Sequence, residues 1–203
     1  MRSIFVNYDG APLLVQTPWL HSWDGVALPP EEFRAGASTA KYSVNCTLQG
    51  AQENEAVASF QQFLQQFDSK IIADVAANSA EWLKQKSMDP VVCEALYTRQ
   101  LKLAKDKDTG EATNKYPPTF KVKMPFYDGV WKCDAYTKDD HAAHVNGELS
   151  ELIKGKCRIR FIMQCNGVWS AANKFGVSWT AKQIEYELAP VPAQQKGYGF
   201  RGE

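Results

Sequence analysis

Two short stretches of this chain place a cation at every second residue. In "FKVKMP" Lys121 and Lys123 alternate with Phe120, Val122 and Met124, and in "KCRIRF" Lys156, Arg158 and Arg160 alternate with Cys157, Ile159 and Phe161. A period of two belongs to a β-strand, whose successive side chains point to opposite faces, so each stretch reads as a strand apolar inside and cationic outside. Phe126, Tyr127, Trp131, Trp169, Phe175 and Trp179 fall near the ends and turns of the same strands. Cations neutralise phosphates, and exposed aromatic rings stack on unpaired bases at about 1–3 kcal/mol per base, the pairing of properties that single-stranded nucleic acid needs. The competing reading is a solvated outer sheet face with the rings in the core, and for the rings the pattern leaves both open.

Other chemistries find less support. The chain has no G-x-x-x-x-G-K-[ST], no G-x-G-x-x-G, no H-E-x-x-H and no G-x-S-x-G, so the common nucleotide, zinc-protease and nucleophile-elbow signatures are missing. Cys133, His141 and His144, with Asp139 or Asp140, offer ligand types that suit zinc, yet without a second Cys pair they read as a polar loop, and neither a metal nor a cofactor is expected. Asp68, Asp74 and Glu81 are not spaced to converge on one helical face, and read as a solvated face opposite Phe60, Leu64 and Phe67. No enzyme is expected from these residues. The five cysteines form an odd set without CxxC, which suits reduced, buried thiols rather than a disulfide framework.

The elements that must position the cations follow from periodicity. With 203 residues, 44% hydrophobic and 23% charged, the chain can bury a full core and has an ordinary globular balance. "PLLVQT" and "KYSVNCTL" read as strands, followed by an amphipathic helix from about Asn54 to Asn78, with a break near Asp68, on Val57, Phe60, Leu64, Phe67, Ile71 and Val75. Asp89 and Pro90 should cap and open a second helix. Strands return in "YTRQLKLAK", "TFKVKMPF" and "KFGVSWTAKQIEYEL", with turns at Asp128–Gly129 and Asn166–Gly167, the latter closing a hairpin that brings Trp169 back beside the cationic strand. The fold class is therefore β-rich α+β: one domain over 1–203, an antiparallel β-barrel with a helical insert at about 53–97 and a mobile loop at about 105–117. The N-terminus lacks a secretory signal and no apolar run is long enough for a membrane helix, so an intracellular protein without membrane contact is expected. Although the formal charge is zero, Lys154 to Gln183 contains six cations and no acid, Lys154, Lys156, Arg158, Arg160, Lys174 and Lys182, a polarity that suits a polyanion on one face.

The blocks "PLLVQTPWL", "KYSVNCTL", "YPPTFKVKMPFYDG" and "KGKCRIRFIMQCNGVWSAANKFGVSWTAKQIEYE", in that order, resemble the single-stranded DNA-binding proteins of nucleocytoplasmic large DNA viruses. More distantly they are similar to the T7-type phage single-stranded DNA-binding proteins. The likeness runs from about Pro12 to Glu187 and rests on block order. It implies an oligonucleotide-binding (OB) fold elaborated by helices, without catalytic centre or cofactor. Members of the phage type end in an acidic tail that meets replication partners, whereas this sequence ends "GYGFRGE", with Glu203 its one acid.

Pattern and resemblance together lead to a protein that coats single-stranded DNA in viral replication, recombination or repair. Lys121, Lys123, Lys156, Arg158, Arg160 and Lys174 are assigned to phosphates, extended by Arg99 and Lys102, and Trp131, Trp169, Phe175 and Tyr127 to base stacking. The partners implied are single-stranded DNA, with RNA as a competing ligand, replication proteins and a second copy of the chain, inside an infected host cell and in the virion. The alternatives are a virion structural or interaction module on an OB-like barrel without nucleic-acid binding, and a nucleic-acid-processing enzyme resting on the Cys133, His141 and His144 group.

Overall fold

The computed structural model describes residues 4–27, 42–82, 87–113, 115–139, 141 and 148–188. Asp140 and His144 of the zinc reading, most of the Pro- and Gly-bearing loop after Ala27, and the C-terminal "GYGFRGE" lie outside them.

Seven strands carry the main sheet: β1 (Leu14–Gln16), β2 (Leu20–Ser22), β3 (Tyr42–Thr47), β4 (Thr119–Met124), β5 (Asp134–Thr137), β6 (Cys157–Ala171) and β7 (Lys174–Leu188). Their order is β5-β7-β4-β3-β2-β6-β1, and β6 also pairs with β7. The sheet is mixed, not purely antiparallel as the sequence suggests, because β7 runs parallel to both β4 and β5. Short strands at Val26–Ala27, Tyr97–Thr98 and Leu101–Lys102 add to β3, β7 and β4.

Alternation in β3 and β4 works as the period requires. Phe120 faces Cys46 and Val122 faces Val44 on the inner side, all buried, while Lys121 faces Asn45 and Lys123 faces Ser43 on the outer side. In β6 the inner set is Cys157, Ile159, Phe161, Met163 and Cys165, each at most 4% exposed. All five cysteines are buried and free.

The β6–β7 hairpin turns at Ala172–Asn173, not at Asn166–Gly167. Both tip residues have positive φ (49° and 59°) and Ala171 pairs with Lys174, the geometry of a two-residue primed turn. Asn-Gly is instead spent on a bulge: the register shifts between Cys165 and Val168, and Gly167 sits at φ 91°. A Cβ there would lie 2.1 Å from the Ile4 carbonyl oxygen, which accepts the Val168 N–H at 2.8 Å. Trp169 therefore lies farther along the same strand as Arg158 and does not return beside it. The Asp128–Gly129 turn does form, with Phe126 paired to Trp131 across it.

Three helices occur among the described residues. In α1 (Glu55–Trp82), the Asn54 side chain caps the first turn by accepting the Ala56 and Val57 N–H groups at 3.0 and 3.3 Å. The helix runs unbroken through Asp68; its irregular residue is Asn78 (φ −118°, ψ 15°), whose amide donates to the Asp74 carbonyl at 2.8 Å. Asp68 does not face solvent as its neighbours suggest but is 3% exposed. In α2 (Pro90–Leu96) Asp89 caps through the Val91 N–H at 2.8 Å, and α3 (Leu149–Leu152) is a single turn. The segment expected as a mobile loop holds a small ladder, Lys105 to Ala112 and Ala104 to Thr113, around the turn that Asp106 caps.

The core lies between the inner sheet face and α1. Phe60 meets Phe120 edge-on at 5.6 Å, and Phe67 and Phe63 lie against Trp179 at 5.6 and 6.4 Å. No described helix is long and apolar enough to cross a membrane.

Candidate nucleic-acid interface

A cleft of about 160 Å³ opens between β4, the β6–β7 ladder and the segment 98–102. Lys121 and Lys123 reach it from the outer face of β4, because an apolar inner face forces alternate residues outward. Arg99 and Lys102 reach it from the neighbouring segment, which pairs with β4 through Leu101 and Lys102, and Trp169, Ser178 and Trp179 complete it. Trp169 is half-buried and lies over Gly176, where a Cβ would come within 2.8 Å of its Cζ2. The bare glycine thus lets the indole pack closely against β7. Lys123 donates to the Ser178 hydroxyl at 3.0 Å, and the Asn166 amide donates to the same oxygen at 3.2 Å. Arg99 pairs with Glu94 at 2.6 Å. Among the described residues, Lys102 and Lys121 have no carboxylate partner.

The cleft wall is pinned from beneath. Asp68 of α1 accepts the Tyr97 hydroxyl at 2.5 Å, the Gln100 side-chain amide at 2.6 Å and the Gln100 backbone N–H at 3.2 Å. Gln100 in turn accepts the indole N–H of Trp179. Burial first, then the Asp68 carboxylate, push the Tyr97 phenol far above its ordinary value, so it stays a donor. The segment bearing Arg99 and Lys102 is therefore tied to α1 and to β7 at one residue.

The other cationic strand carries a different arrangement. Lys156 lies over the Trp23 ring at 5.4 Å, and Arg158 and Arg160 both lie over Trp19, at 5.4 and 4.9 Å. The antiparallel register places Glu187 opposite Arg158 and Glu185 opposite Arg160. Glu187 bonds Arg158 at 3.3 Å and Lys138 at 3.2 Å, while Glu185 takes Arg160 through its Nε at 2.5 Å and through a second nitrogen. The acid-free stretch of sequence thus meets its acids across the ladder.

Of the residues singled out from sequence, Arg99, Lys102, Lys121, Lys123 and Trp169 come together in the cleft. Lys156, Arg158 and Arg160 form the second group, joined to the first through the row Lys102, Thr119, Thr47, His21 and Arg158 across successive strands. Lys174 is exposed beside the hairpin tip, and Tyr127, 48% exposed, stands on the Phe126–Trp131 hairpin. Two rings are core and offer no face for stacking: Phe175 is 1% exposed against Tyr97 at 5.3 Å, and Trp131 is 7% exposed against Tyr42 and Phe126 at 4.7 and 4.8 Å. Trp19 and Trp23 escaped the sequence reading because they flank a three-residue strand too short to show alternation. Among the described residues, no three metal-binding side chains converge.

No protein-family model matches the chain, and no curated protein matches it by sequence. Solved structures do match. The single-stranded DNA-binding protein gp2.5 of bacteriophage T7 aligns with TM-score 0.51 and 12% identity over 91% of this chain and 97% of its own. The bacteriophage Enc34 single-stranded DNA-binding protein in complex with single-stranded DNA aligns with TM-score 0.51 and 8% identity over 95% and 98%. Another structure of the bacteriophage Enc34 single-stranded DNA-binding protein gives TM-score 0.50 and 8% identity over 97% and 95%. This chain has the fold of these phage proteins. At such identity the likeness is one of architecture, and the side chains that act on a ligand must be argued from this molecule. All three structures are of binding proteins and none is described as an enzyme.

Proposed function

We propose that this protein binds single-stranded DNA without sequence preference, holding the strand in the cleft between β4 and the segment 98–102. The observation that carries the reading is the convergence of Arg99, Lys102, Lys121 and Lys123 around the half-buried Trp169, in a fold shared with single-stranded DNA-binding proteins. The cations track phosphates and Trp169 presents an indole to a base. Lys174 and Tyr127, both exposed, are further contacts outside the cleft, while Phe175 supports its wall from the core through Tyr97.

The pairing path β7, β4, β3, β2, β6 returns to β7, which supports reading the sheet as a five-stranded OB-type barrel, the architecture used for oligonucleotides. The protein then acts by binding alone, keeping strands unpaired and protected. The resemblance of its four sequence blocks to viral proteins supports reading that role as one in replication, recombination or repair of a viral genome, in the company of replication proteins.

The test is fluorescence quenching with oligo-dT and with a matched duplex at two salt concentrations, on the native chain and on Lys121→Ala/Lys123→Ala. Each phosphate contact contributes about −0.7 to the slope of log K against log salt. The double variant should therefore bind oligo-dT more weakly, with a slope shallower by about 1.4. Equal binding to duplex, or none to either, refutes the reading.

A further inference from the structure

The outer face of β6 and β7 has features that the cleft does not use. Trp23 is 52% exposed and Leu188 48%, and they border a recess of about 280 Å³ with His21, Lys156, Arg158 and Glu187. An exposed indole with an ammonium over it and an open recess beside it has room for a planar ring. The two ion pairs behind it differ. In Arg160–Glu185 the glutamate side chain is 15% exposed and its carboxylate is bound through two guanidinium nitrogens. In Arg158–Glu187 the side chains are 45% and 36% exposed and 3.3 Å apart, a pair of the kind that solvent screening leaves weak. Arg160 is fixed, whereas Arg158 can exchange its anion.

We propose that this face is a second contact surface for single-stranded DNA, with Trp23 as the stacking platform and Glu187 as a resident counter-anion that a phosphate displaces from Arg158. It rests on the reading of the chain as a single-stranded DNA-binding protein, but on none of the cleft residues. Glu187 also holds Lys138 at 3.2 Å, so one carboxylate restrains two cations and moderates the affinity of the whole face.

The experiment measures oligo-dT anisotropy across a salt series for the native chain, Glu187→Gln, Trp23→Ala, their combination, and Lys121→Ala/Lys123→Ala, with thermal melts as a check on folding. Glu187→Gln should bind about twofold to fivefold tighter at low salt, the worth of one exposed ion pair, with a steeper salt slope. Trp23→Ala should weaken binding by at least about fivefold and abolish the gain from Glu187→Gln. Photo-cross-linking of iodouracil-substituted oligo-dT supplies an independent readout, with an adduct expected at Trp23. Unchanged affinity in Glu187→Gln and Trp23→Ala, with no adduct there, overturns the second surface, and if the Lys121/Lys123 variant is weakened the cleft reading still stands. The reverse pattern, with only the Trp23 and Glu187 variants affected, removes the cleft and keeps the second surface.

Discussion

Asp68 provides the sharpest test of how the fold holds the cleft. It is a carboxylate in the middle of α1, 3% exposed, accepting three hydrogen bonds and, among the described residues, with no cation beside it. Asp68→Asn keeps the shape but turns one oxygen into a donor, so either the Gln100 backbone N–H or the Tyr97 and Gln100 side-chain donors face another donor. A buried donor left unsatisfied costs about 1–3 kcal/mol, and hydrogen bonds to an ionised acceptor are worth about 1 kcal/mol more than neutral ones. The expected loss is about 2–4 kcal/mol, which for a chain of this length lowers Tm by roughly 5–15 °C. Asp68→Ala should lose about 3–5 kcal/mol, because it orphans all three donors, and Tyr97→Phe only about 1.5–3 kcal/mol. Urea unfolding of the single variants and of Asp68→Asn/Tyr97→Phe measures both size and coupling, which should exceed about 0.5 kcal/mol for groups in contact. Because Gln100 lies between Arg99 and Lys102, Asp68→Asn should also weaken oligo-dT binding well below its melting temperature. An Asp68→Asn protein as stable as the native chain, or more so, would refute the reasoning, since an amide cannot satisfy a site built of donors.

Further outcomes follow from the backbone and the thiols. Gly167→Ala should cost at least about 2 kcal/mol in urea unfolding, because its Cβ would meet the Ile4 carbonyl at 2.1 Å; Gly129→Ala, with nothing within 4 Å, should cost only the left-handed penalty of about 1–2 kcal/mol. Ala172→Asn with Asn173→Gly should stabilise by about 1 kcal/mol and raise Tm by about 2–4 °C, since both tip residues have positive φ and Asn-Gly suits that turn; a lower Tm counts against the turn assignment. Burial pushes the thiols of Cys157 up to about 11 and Cys133 up to about 12, from 9.0. Because the folded values lie above the unfolded ones, this stability is complete below pH 9 and is lost as pH rises towards 11, at about 2.7 kcal/mol per pH unit for the two together. A urea midpoint that stays flat to pH 10.5 would contradict that burial.

What was legible in the sequence was periodicity, and what was not was partnership. The alternations in 119–124 and 157–163, the amphipathic run of α1, the Asp89 cap and the Asp128–Gly129 turn are properties of neighbours along the chain, and each forms. Asn166–Gly167 shows the limit of such reading. The dipeptide reports that a positive φ is available, but whether it closes a turn or admits a bulge depends on Ile4, more than 160 residues away. Asp68 shows it again: a carboxylate among Gln, Ser and Lys looks solvated until Tyr97 and Gln100 are brought over it.

The same limit decides which cations can meet a phosphate without first displacing an acid. Lys121 and Lys123 alternate along β4 just as Arg158 and Arg160 alternate along β6, and no local property separates the two strands. Register does. On β3 the residue opposite Lys121 is Asn45, whereas on β7 the residues opposite Arg158 and Arg160 are Glu187 and Glu185. A cross-strand carboxylate supplies the charge that a phosphate would otherwise bring, and a cross-strand amide or hydroxyl does not. A one-residue slip of β6 against β7 would put Arg158 and Arg160 on the inner face with the apolar set turned to water, so the buried row from Cys157 to Cys165 is what enforces the pairing of those cations with acids. Packing inside the sheet thereby sets charge availability outside it, which is why the cleft beside β4, and not the more heavily charged strand β6, is the site we propose as primary.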